Sequence, residues 1–194
     1  MVEQRREWQV SPVIPALRDL KSLPGALAGS QSTIFLLSGN LSNIGETVAY
    51  ARGRGKQVFV HFDLIEGLGK DVHGLRWLAE NVKPTGIITT RAPLINQARA
   101  FGLAVVQRMF VLDSQSLHTG LQLAKDAKPH FLEVMPGIAP EIIEQVVRLV
   151  NCPVIAGGLC RTEAHFRAAI QAGAVAVSTS EKALWQMPAG AGQA

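Results

Sequence analysis

The stretch Pro140-Glu-Ile-Ile-Glu-Gln-Val-Val-Arg-Leu-Val-Asn-Cys-Pro-Val-Ile-Ala-Gly-Gly158 contains a helix followed by a buried strand. Pro140 suits a first helical turn, because its missing N–H would have no partner there, and the next apolar residues share one helix face. The run from Pro153 to Ala156 is continuously apolar, which is typical of parallel strands covered by helices. Gly157-Gly158 ends this strand.

The same unit recurs along the whole chain. Apolar strand-like runs cover residues 12–17, 33–39, 57–64, 86–91, 104–110, 130–137, 153–159 and 174–180. Helical segments separate them: one has Thr162 as its candidate N-cap and ends at Gly173, and another is bracketed by Ser42 and Gly53 or Gly55. Eight alternating units predict an α/β fold, a compact TIM (β/α)8 barrel with eight parallel strands and short loops. An open doubly wound sheet is the alternative, although such sheets usually have about five or six strands.

The barrel is expected to occupy residues 1–187 as one domain, with a flexible Gly/Ala-rich tail at 188–194. No apolar run approaches the roughly 18 residues of a membrane span, and the first residues lack a signal-peptide core, so we expect a cytoplasmic protein without membrane contact. The net charge of +4 permits an anionic partner without requiring one. The densest basic cluster, Arg52, Arg54 and Lys56, lies near a helix end, where the helix dipole favours positive charge.

Functional residues of such barrels lie at the carboxyl ends of the strands. Gly157-Gly158 follows the seventh strand, and Ser178, Thr179 and Ser180 follow the eighth. Loops after these two strands commonly bind phosphate, because glycines let an anion approach backbone N–H groups while hydroxyls donate further hydrogen bonds. A tight turn is the plainer interpretation of Gly-Gly. The position of both segments favours phosphate.

The other strand ends carry further polar residues. These are His61, Asp63, Thr89, Thr90, Arg91, Gln107, Arg108 and Glu133. A period of two turns Phe59, His61 and Asp63 inward and Val58, Val60, Phe62 and Leu64 towards the helices, and it turns Phe131, Glu133 and Met135 inward on the sixth strand.

His61, Asp63 and Glu133 would then meet above the core, where their ligand types suit Mg²⁺ or Mn²⁺. Acids paired with Arg91 and Arg108, or bonded to the hydroxyls of a polyol, are alternatives to a metal.

Several enzyme classes are disfavoured by what the strands lack. No lysine lies in any predicted strand, which argues against a Schiff-base aldolase, and the sequence has neither a Gly-x-Ser-x-Gly elbow nor a P-loop. Acid–base chemistry by His61 with Asp63 or Glu133 stays open.

Six segments together resemble the glycerol-3-phosphate-responsive antiterminator family. They are His61-Phe-Asp-Leu-Ile-Glu-Gly-Leu68, Gly86-Ile-Ile-Thr-Thr-Arg91, Val106-Gln-Arg-Met-Phe-Val-Leu-Asp-Ser114, Leu132-Glu-Val-Met-Pro-Gly-Ile-Ala-Pro140, Pro153-Val-Ile-Ala-Gly-Gly-Leu159 and Val177-Ser-Thr-Ser180, which Leu184-Trp185 follows. The likeness runs collinearly over residues 12–185.

The resemblance implies a small TIM barrel that binds glycerol 3-phosphate, acts on the leader mRNA of glycerol-use genes and prevents transcription termination. It implies a sensor with no catalytic residue, no cofactor and no resident metal, and it leaves open whether a homodimer acts. Gly157, Gly158, Ser178, Thr179 and Ser180 would hold the phosphate. The ligand-lining residues would be His61, Asp63, Thr90, Arg91, Gln107, Arg108, Glu133, Met135 and Gly137. An isomerase, lyase or hydrolase acting on a small phosphorylated polyol or sugar is the alternative function.

Overall fold

Eight parallel strands close into a barrel in the computed structural model, which describes residues 10–188. The strands are β1 Val13–Leu17, β2 Thr33–Leu36, β3 Gln57–His61, β4 Gly86–Thr89, β5 Ala104–Phe110, β6 Phe131–Met135, β7 Val154–Gly157 and β8 Ala176–Thr179. Each strand pairs with the next along the chain, and β8 pairs with β1. The predicted (β/α)8 barrel is confirmed.

Helices connect the strands on the outside of the barrel. They are α1 Leu23–Ala28, α2 Ile44–Gly53, α3 Val72–Trp77, α4 Ile95–Ala100, α5 Ser114–Ala127, α6 Pro140–Leu149 and α7 Glu163–Gln171. A π-helical segment, Leu78–Val82, continues α3. After β8 the chain forms a short 3-10 helix, Lys182–Gln186, where Trp185 is buried and its indole Nε1 donates to the carbonyl oxygen of Thr179, 2.9 Å away. The eighth unit therefore ends in a 3-10 helix that fastens the end of β8.

Two apolar clusters follow from the alternation of side chains along the strands. Val58 and Val60 belong to the larger cluster between the sheet and the helices. Phe35 and Phe59 belong to the smaller cluster that fills the barrel interior, where their ring centroids lie 5.6 Å apart. Because side chains fill this interior, a ligand has room above the packed layer, at the mouth of the barrel.

The helix boundaries agree with the sequence in two cases and differ in a third. Oγ1 of Thr162 accepts a hydrogen bond from the backbone N–H of His165, and Gly173 has a φ of +95° just beyond α7. Ser42, however, is not the residue at which the next helix begins. Asn43 precedes α2, and the backbone N–H of Ser42 donates to Oδ1 of Asn40 in the turn before it.

The third strand is shorter than the sequence predicts. It ends at His61, and residues Phe62–Leu64 form a 3-10 turn. Phe62 packs against the helix layer, as it would if the strand continued, so the sequence pattern does not reveal that the strand has ended. Leu64 does not join that layer: it is 48% exposed and lines the mouth of the barrel. The strand-based orientation of Leu64 was therefore wrong, and Asp63 lies on the turn instead of on the strand.

Both cysteines, Cys152 and Cys160, are free, and burial raises the pKa of each thiol to about 11. Residues 189–194 of the predicted tail lie outside the described part of the chain. Among the helices of residues 10–188, none combines the length and the apolar character that a membrane crossing needs.

Candidate functional site

A cavity of about 920 Å³ opens at the carboxyl ends of the strands. This volume is in the range of small-molecule sites. Its walls come from the last residues of several strands and from the loops that follow them. They comprise Ala16, Arg18, Leu37, Leu64, Arg108, Phe110, Val111, Leu112, Met135, Pro136, Gly158, Leu159, Cys160, Arg161, Ser178, Thr179, Ser180 and Glu181.

A buried ion pair forms the floor of this cavity. Glu133 points inward from β6 and is fully buried, and its Oε2 lies 2.5 Å from Nε of Arg108 on β5. Its Oε1 accepts a hydrogen bond of 2.5 Å from Oγ of Ser178 on β8. A carboxylate without water needs such partners, and here one comes from the adjacent strand β5 and the other from β8. Arg108 also faces the cavity, so the floor carries a guanidinium held in place by a carboxylate.

The glycines after β7 make room for this arrangement. A Cβ on Gly157 would lie 2.6 Å from Oε1 of Glu133, so a side chain there would displace the carboxylate. Gly158 has a φ of +75°, and a Cβ on it would lie 2.6 Å from Cε of Met135. The backbone N–H of Gly137 donates to the carbonyl oxygens of Gly157 and Gly158 at 2.5 and 3.1 Å. The turn is therefore fixed from behind and presents bare backbone to the cavity.

The hydroxyl hydrogens of Ser178 and Thr179 are already donated within the protein. Ser178 donates to Glu133, and Thr179 Oγ1 donates to the carbonyl oxygen of Cys160 at 2.6 Å. Thr179 Oγ1 also accepts from the backbone N–H of Glu181 at 3.0 Å. Ser178 therefore connects β8 to β6, and Thr179 connects it to the loop after β7, whereas new hydrogen-bond donors for an anion must come from elsewhere.

Two exposed arginines at the mouth supply such donors, and neither is among the residues predicted from the sequence. Arg18 directly follows β1, and Arg161 follows the turn after β7. With Arg108 they place three guanidinium groups on one cavity, whose lining also includes the acidic Glu181. The strand-end rule applied to β1 would have found Arg18. Arg161 comes two residues after Leu159, which has a φ of +62°, in the segment between β7 and α7.

Asp63 is hydrogen-bonded to the end of β4 and to the loop that follows it. Its carboxylate accepts hydrogen bonds from the hydroxyls of Thr89 and Thr90, both at 3.0 Å, and from the backbone N–H of Thr90 at 2.7 Å. Nε of the half-exposed Arg91 lies 3.4 Å from the same carboxylate. These contacts account for the acceptor capacity of Asp63 and fix the end of β4, away from the cavity lining.

His61 and Gln107 are buried beneath the mouth. Among the described residues, neither Nδ1 of His61 nor Oε1 of Gln107 has a hydrogen-bond partner. Burial, followed by the positive charge of Arg108, lowers the pKa of His61 from 6.5 to about 4, so its imidazole is neutral near pH 7. Asp63 is bound to the β4 loop and Glu133 to Arg108, so the three candidate metal ligands do not converge. Within residues 10–188 no three His, Cys, Asp or Glu side chains are grouped as a metal site.

Apolar side chains surround the opening. Leu64, Phe110 and Leu159 are each about half exposed, and Leu112 is 85% exposed. All four line the cavity above its charged floor. Alternation along strands gives no signal for them, because each lies at or beyond the end of its strand. The mouth thus combines cationic groups with an apolar rim.

The structure separates the sequence-selected residues into three sets. Those that line the cavity are Gly158, Ser178, Thr179, Ser180, Arg108 and Met135. Those that support the lining from behind are Gly157, Glu133 and Gly137. Those that lie outside the lining are His61, Asp63, Thr90, Arg91 and Gln107.

Comparison with known proteins identifies one family. The family model described as glycerol-3-phosphate responsive antiterminator matches residues 13–185. The chain is 34% identical over 177 residues to the uncharacterized protein YgcP of Escherichia coli strain K12, which covers 91% of this chain and 93% of that protein.

Two solved structures agree with this match. The glycerol uptake operon antiterminator regulatory protein from Listeria monocytogenes has a TM-score of 0.88 and 34% identity, covering 91% of this chain and 95% of that one. A glycerol uptake operon antiterminator-related protein from Thermotoga maritima has a TM-score of 0.82 and 29% identity, covering 92% and 100%. Aldolase barrels with 13 or 14% identity share the fold alone.

Proposed function

Because this chain belongs to the glycerol-3-phosphate responsive antiterminator family, we propose that it binds glycerol 3-phosphate at the mouth of its barrel and, when loaded, binds leader mRNA to prevent transcription termination. The observation that carries the ligand site is the cavity where three arginines meet the glycine turn after β7. A phosphate monoester carries about two negative charges near pH 7, and guanidinium groups are its strongest side-chain partners.

The phosphate is placed against the loops after β7 and β8. Arg161 and Arg18 bind it from two sides, and Gly158 lets it approach the backbone. Ser180 adds a hydroxyl to this side of the cavity. Thr179 ties β8 to the loop after β7 by donating to the carbonyl oxygen of Cys160, and Ser178 ties β8 to β6 by donating to Glu133. This division of roles keeps the predicted phosphate loops and assigns the charge to arginines.

The glycerol part lies over the floor of the cavity. Arg108 is held by Glu133 and presents donors to the glycerol hydroxyls, while the oxygen of Ser178 can still accept a hydrogen bond. Met135 and Pro136 line the adjacent wall and limit the size of the ligand. A polar floor beneath an apolar wall suits a short polyol. No metal or cofactor is part of this proposal.

The enzyme alternative is the weaker one on this geometry. Within residues 10–188 His61 has no hydrogen bond to Asp63 or Glu133, and the depressed pKa keeps its imidazole neutral. Each acid is instead occupied by donors of a neighbouring strand. General acid–base catalysis needs a base within hydrogen-bond reach of the substrate, and neither His61 nor Asp63 lines the cavity.

The RNA part of the proposal rests on the family. Ligand binding increases RNA affinity to the extent that the ligand binds the RNA-competent state more tightly. Such a regulator works on nascent transcripts and therefore in the cytoplasm.

An electrophoretic mobility shift tests this function. Leader RNA of a glycerol-uptake operon from the source genome is titrated with the protein at constant salt, without ligand, with glycerol and with glycerol 3-phosphate. We expect tighter binding with glycerol 3-phosphate alone. An RNA affinity that is the same with and without glycerol 3-phosphate would contradict the proposal. So would turnover of glycerol 3-phosphate by the protein.

A further inference from the structure

The end of the barrel opposite the mouth carries a band of cations. Because the helices run antiparallel to the strands, α2, the π-helical end of α3, α4 and α5 all finish there. The cations in this band, which we call the basic face, are Arg52, Arg54, Lys56, Lys83, Arg99, Lys125 and Lys128. All but the half-buried Lys56 are exposed, and the acids among them are Glu80 and Asp126. The basic face therefore has a large net positive charge.

Hydrogen bonds join neighbouring helix ends and loops at this end of the barrel. A guanidinium nitrogen of Arg52, at the end of α2, donates to the carbonyl oxygen of Lys83. Arg99, at the end of α4, donates in the same way to the carbonyl oxygen of Lys128 at 3.1 Å. Lys56 donates to the carbonyl oxygen of Gly29 at 2.7 Å. These hydrogen bonds hold neighbouring loops together. Because a carbonyl oxygen does not neutralise a cation, the positive charges of these side chains remain available to an anion.

Two of the lysines occupy backbone conformations that favour glycine. Lys83 and Lys128 have φ values of 53° and 51° at the ends of their helices. Other helices of this chain have Gly55, Gly102 and Gly173 in left-handed conformations at their ends. The helix dipole does not explain why lysine replaces glycine at these two positions, because a cation in the last turn of the helix would be stabilised by the dipole without a left-handed backbone. Strained residues of this kind are a reason to look for a function.

An aromatic ring accompanies the cations. Tyr50 on α2 is 51% exposed, and Cζ of Arg54 lies 3.8 Å from its ring centroid. Unpaired RNA bases stack on aromatic rings and on guanidinium planes. Tyr50 and Arg54 provide both surfaces within the basic face.

The remaining surface is less suited to a polyanion. At the mouth end the helices begin, and acids such as Glu46, Glu141 and Glu163 occupy their first turns. On α6 and α7, Arg148 and Arg167 are each paired with an acid four residues earlier, Glu144 and Glu163. Within residues 10–188, none of the seven cations of the basic face is in an ion pair, whereas the mouth has two such exposed arginines, Arg18 and Arg161.

From these observations we infer that the basic face binds the phosphate backbone of RNA, with Tyr50 and Arg54 as a stacking surface for an unpaired base. The inference rests on the proposed function, for which it supplies the RNA-binding surface. It places RNA and glycerol 3-phosphate at opposite ends of the barrel, so that substitutions can separate the two activities.

Fluorescence anisotropy with a labelled hairpin RNA that ends in a uridine tract tests the inference at several salt concentrations. The variant Lys83→Gln/Lys128→Gln removes two cations of the basic face. Arg148→Gln/Arg167→Gln removes the same charge from α6 and α7, outside the basic face, and serves as the matched control. We expect the first variant to bind at least about tenfold more weakly at low salt and to show a shallower salt dependence, by about 0.7 per lost contact, with the control close to the unsubstituted protein.

Tyr50→Ala is expected to weaken binding while leaving the salt dependence unchanged, because stacking releases no counterions. Thermal stabilisation by glycerol 3-phosphate should persist in all these variants, which shows that they are folded.

The possible failures are distinguishable. If the two double variants weaken RNA binding equally, or if the salt dependence of Lys83→Gln/Lys128→Gln is unchanged, the basic face is not the RNA-binding surface. The proposed function then still stands, provided that the unsubstituted protein binds RNA. Failure of the unsubstituted protein to bind both this hairpin and the leader RNA would overturn both. Polyglutamate, a model of an acidic protein, is titrated into the same variants. If Lys83→Gln/Lys128→Gln loses binding to polyglutamate and keeps its binding to RNA, the basic face binds an acidic protein and the inference is overturned.

Discussion

Nε of Arg108 lies 2.5 Å from Oε2 of Glu133, and neither side chain is more than 7% exposed. Removing two charges from water is costly, and apolar residues of similar volume often serve stability equally well. The pair is better explained by the position of Arg108, whose guanidinium lines the cavity while Glu133 and Ser178 hold it from below. This ion pair connects the packed barrel to the site above it.

Breaking the pair from one side should destabilise the protein. Glu133→Ala leaves Arg108 buried without a counter-charge and Ser178 without an acceptor, so we expect a loss of about 3–5 kcal/mol in the free energy of unfolding, measured by urea denaturation. Arg108→Met/Glu133→Leu should recover most of that loss and still fail to bind glycerol 3-phosphate. A Glu133→Ala protein as stable as the parent would show that the pair is not formed.

The turn after β7 should tolerate no side chain. Gly158→Asp adds strain at a φ of +75° and puts bulk and negative charge beside the proposed phosphate position, so thermal stabilisation by glycerol 3-phosphate should disappear. Gly102→Asp is the matched control, because Gly102 has a φ of +77° and open space around its Cβ position. If both variants keep the ligand response, the phosphate binds elsewhere.

His61 should make stability depend on pH. Its pKa is about 4 in the folded protein and 6.5 when unfolded, so the unfolded chain binds more protons between these values. The contribution of neutral His61 to the free energy of unfolding is fully present above pH 6.5 and is lost as the pH falls through about 4. It amounts to about 3 kcal/mol in total. His61→Gln should flatten the melting temperature profile in this window, whereas His118→Gln at an exposed position should not. Identical profiles for His61→Gln and the parent would refute a buried neutral imidazole.

Glu181 should oppose the ligand. It lines the cavity beside Ser180, so its negative charge repels a phosphate dianion. Glu181→Gln should tighten glycerol 3-phosphate binding by up to about tenfold at low salt, with a smaller gain at high salt. Calorimetric titration measures this, and Glu163→Gln, at an exposed acid of α7, is the control. Weaker binding by Glu181→Gln would mean that its carboxylate accepts a hydrogen bond from the glycerol hydroxyls.

The barrel was predictable because short-range patterns determine it. Val58 and Phe59 point to opposite faces as a period of two requires, and Pro140 and Thr162 mark helix starts by their backbone chemistry. The end of β3 was not predictable in this way, since Phe62 is buried from a turn as it would be from a strand. Asp63 was therefore assigned to the inward face of β3, whereas it lies on a 3-10 turn and accepts a hydrogen bond from the loop after β4.

The cationic part of the site depends on loop geometry. Arg161 lines the cavity from the segment after β7, where Leu159 is left-handed, and an alternating pattern does not encode such a segment. Arg18 was within reach of the strand-end rule, because it is the first residue after β1. The apolar rim formed by Leu64, Phe110, Leu112 and Leu159 arises from residues at or past strand ends, where periodicity no longer applies.

Calorimetric titration of glycerol 3-phosphate into the protein and into Arg18→Gln/Arg161→Gln tests the central claim most directly. Both arginines are exposed, so the double variant should keep its fold, and loss of two phosphate partners should weaken binding by at least about a hundredfold. Glycerol, which lacks the phosphate, should bind weakly to both proteins. Unchanged affinity for glycerol 3-phosphate in the double variant would contradict a phosphate site at the mouth of this barrel.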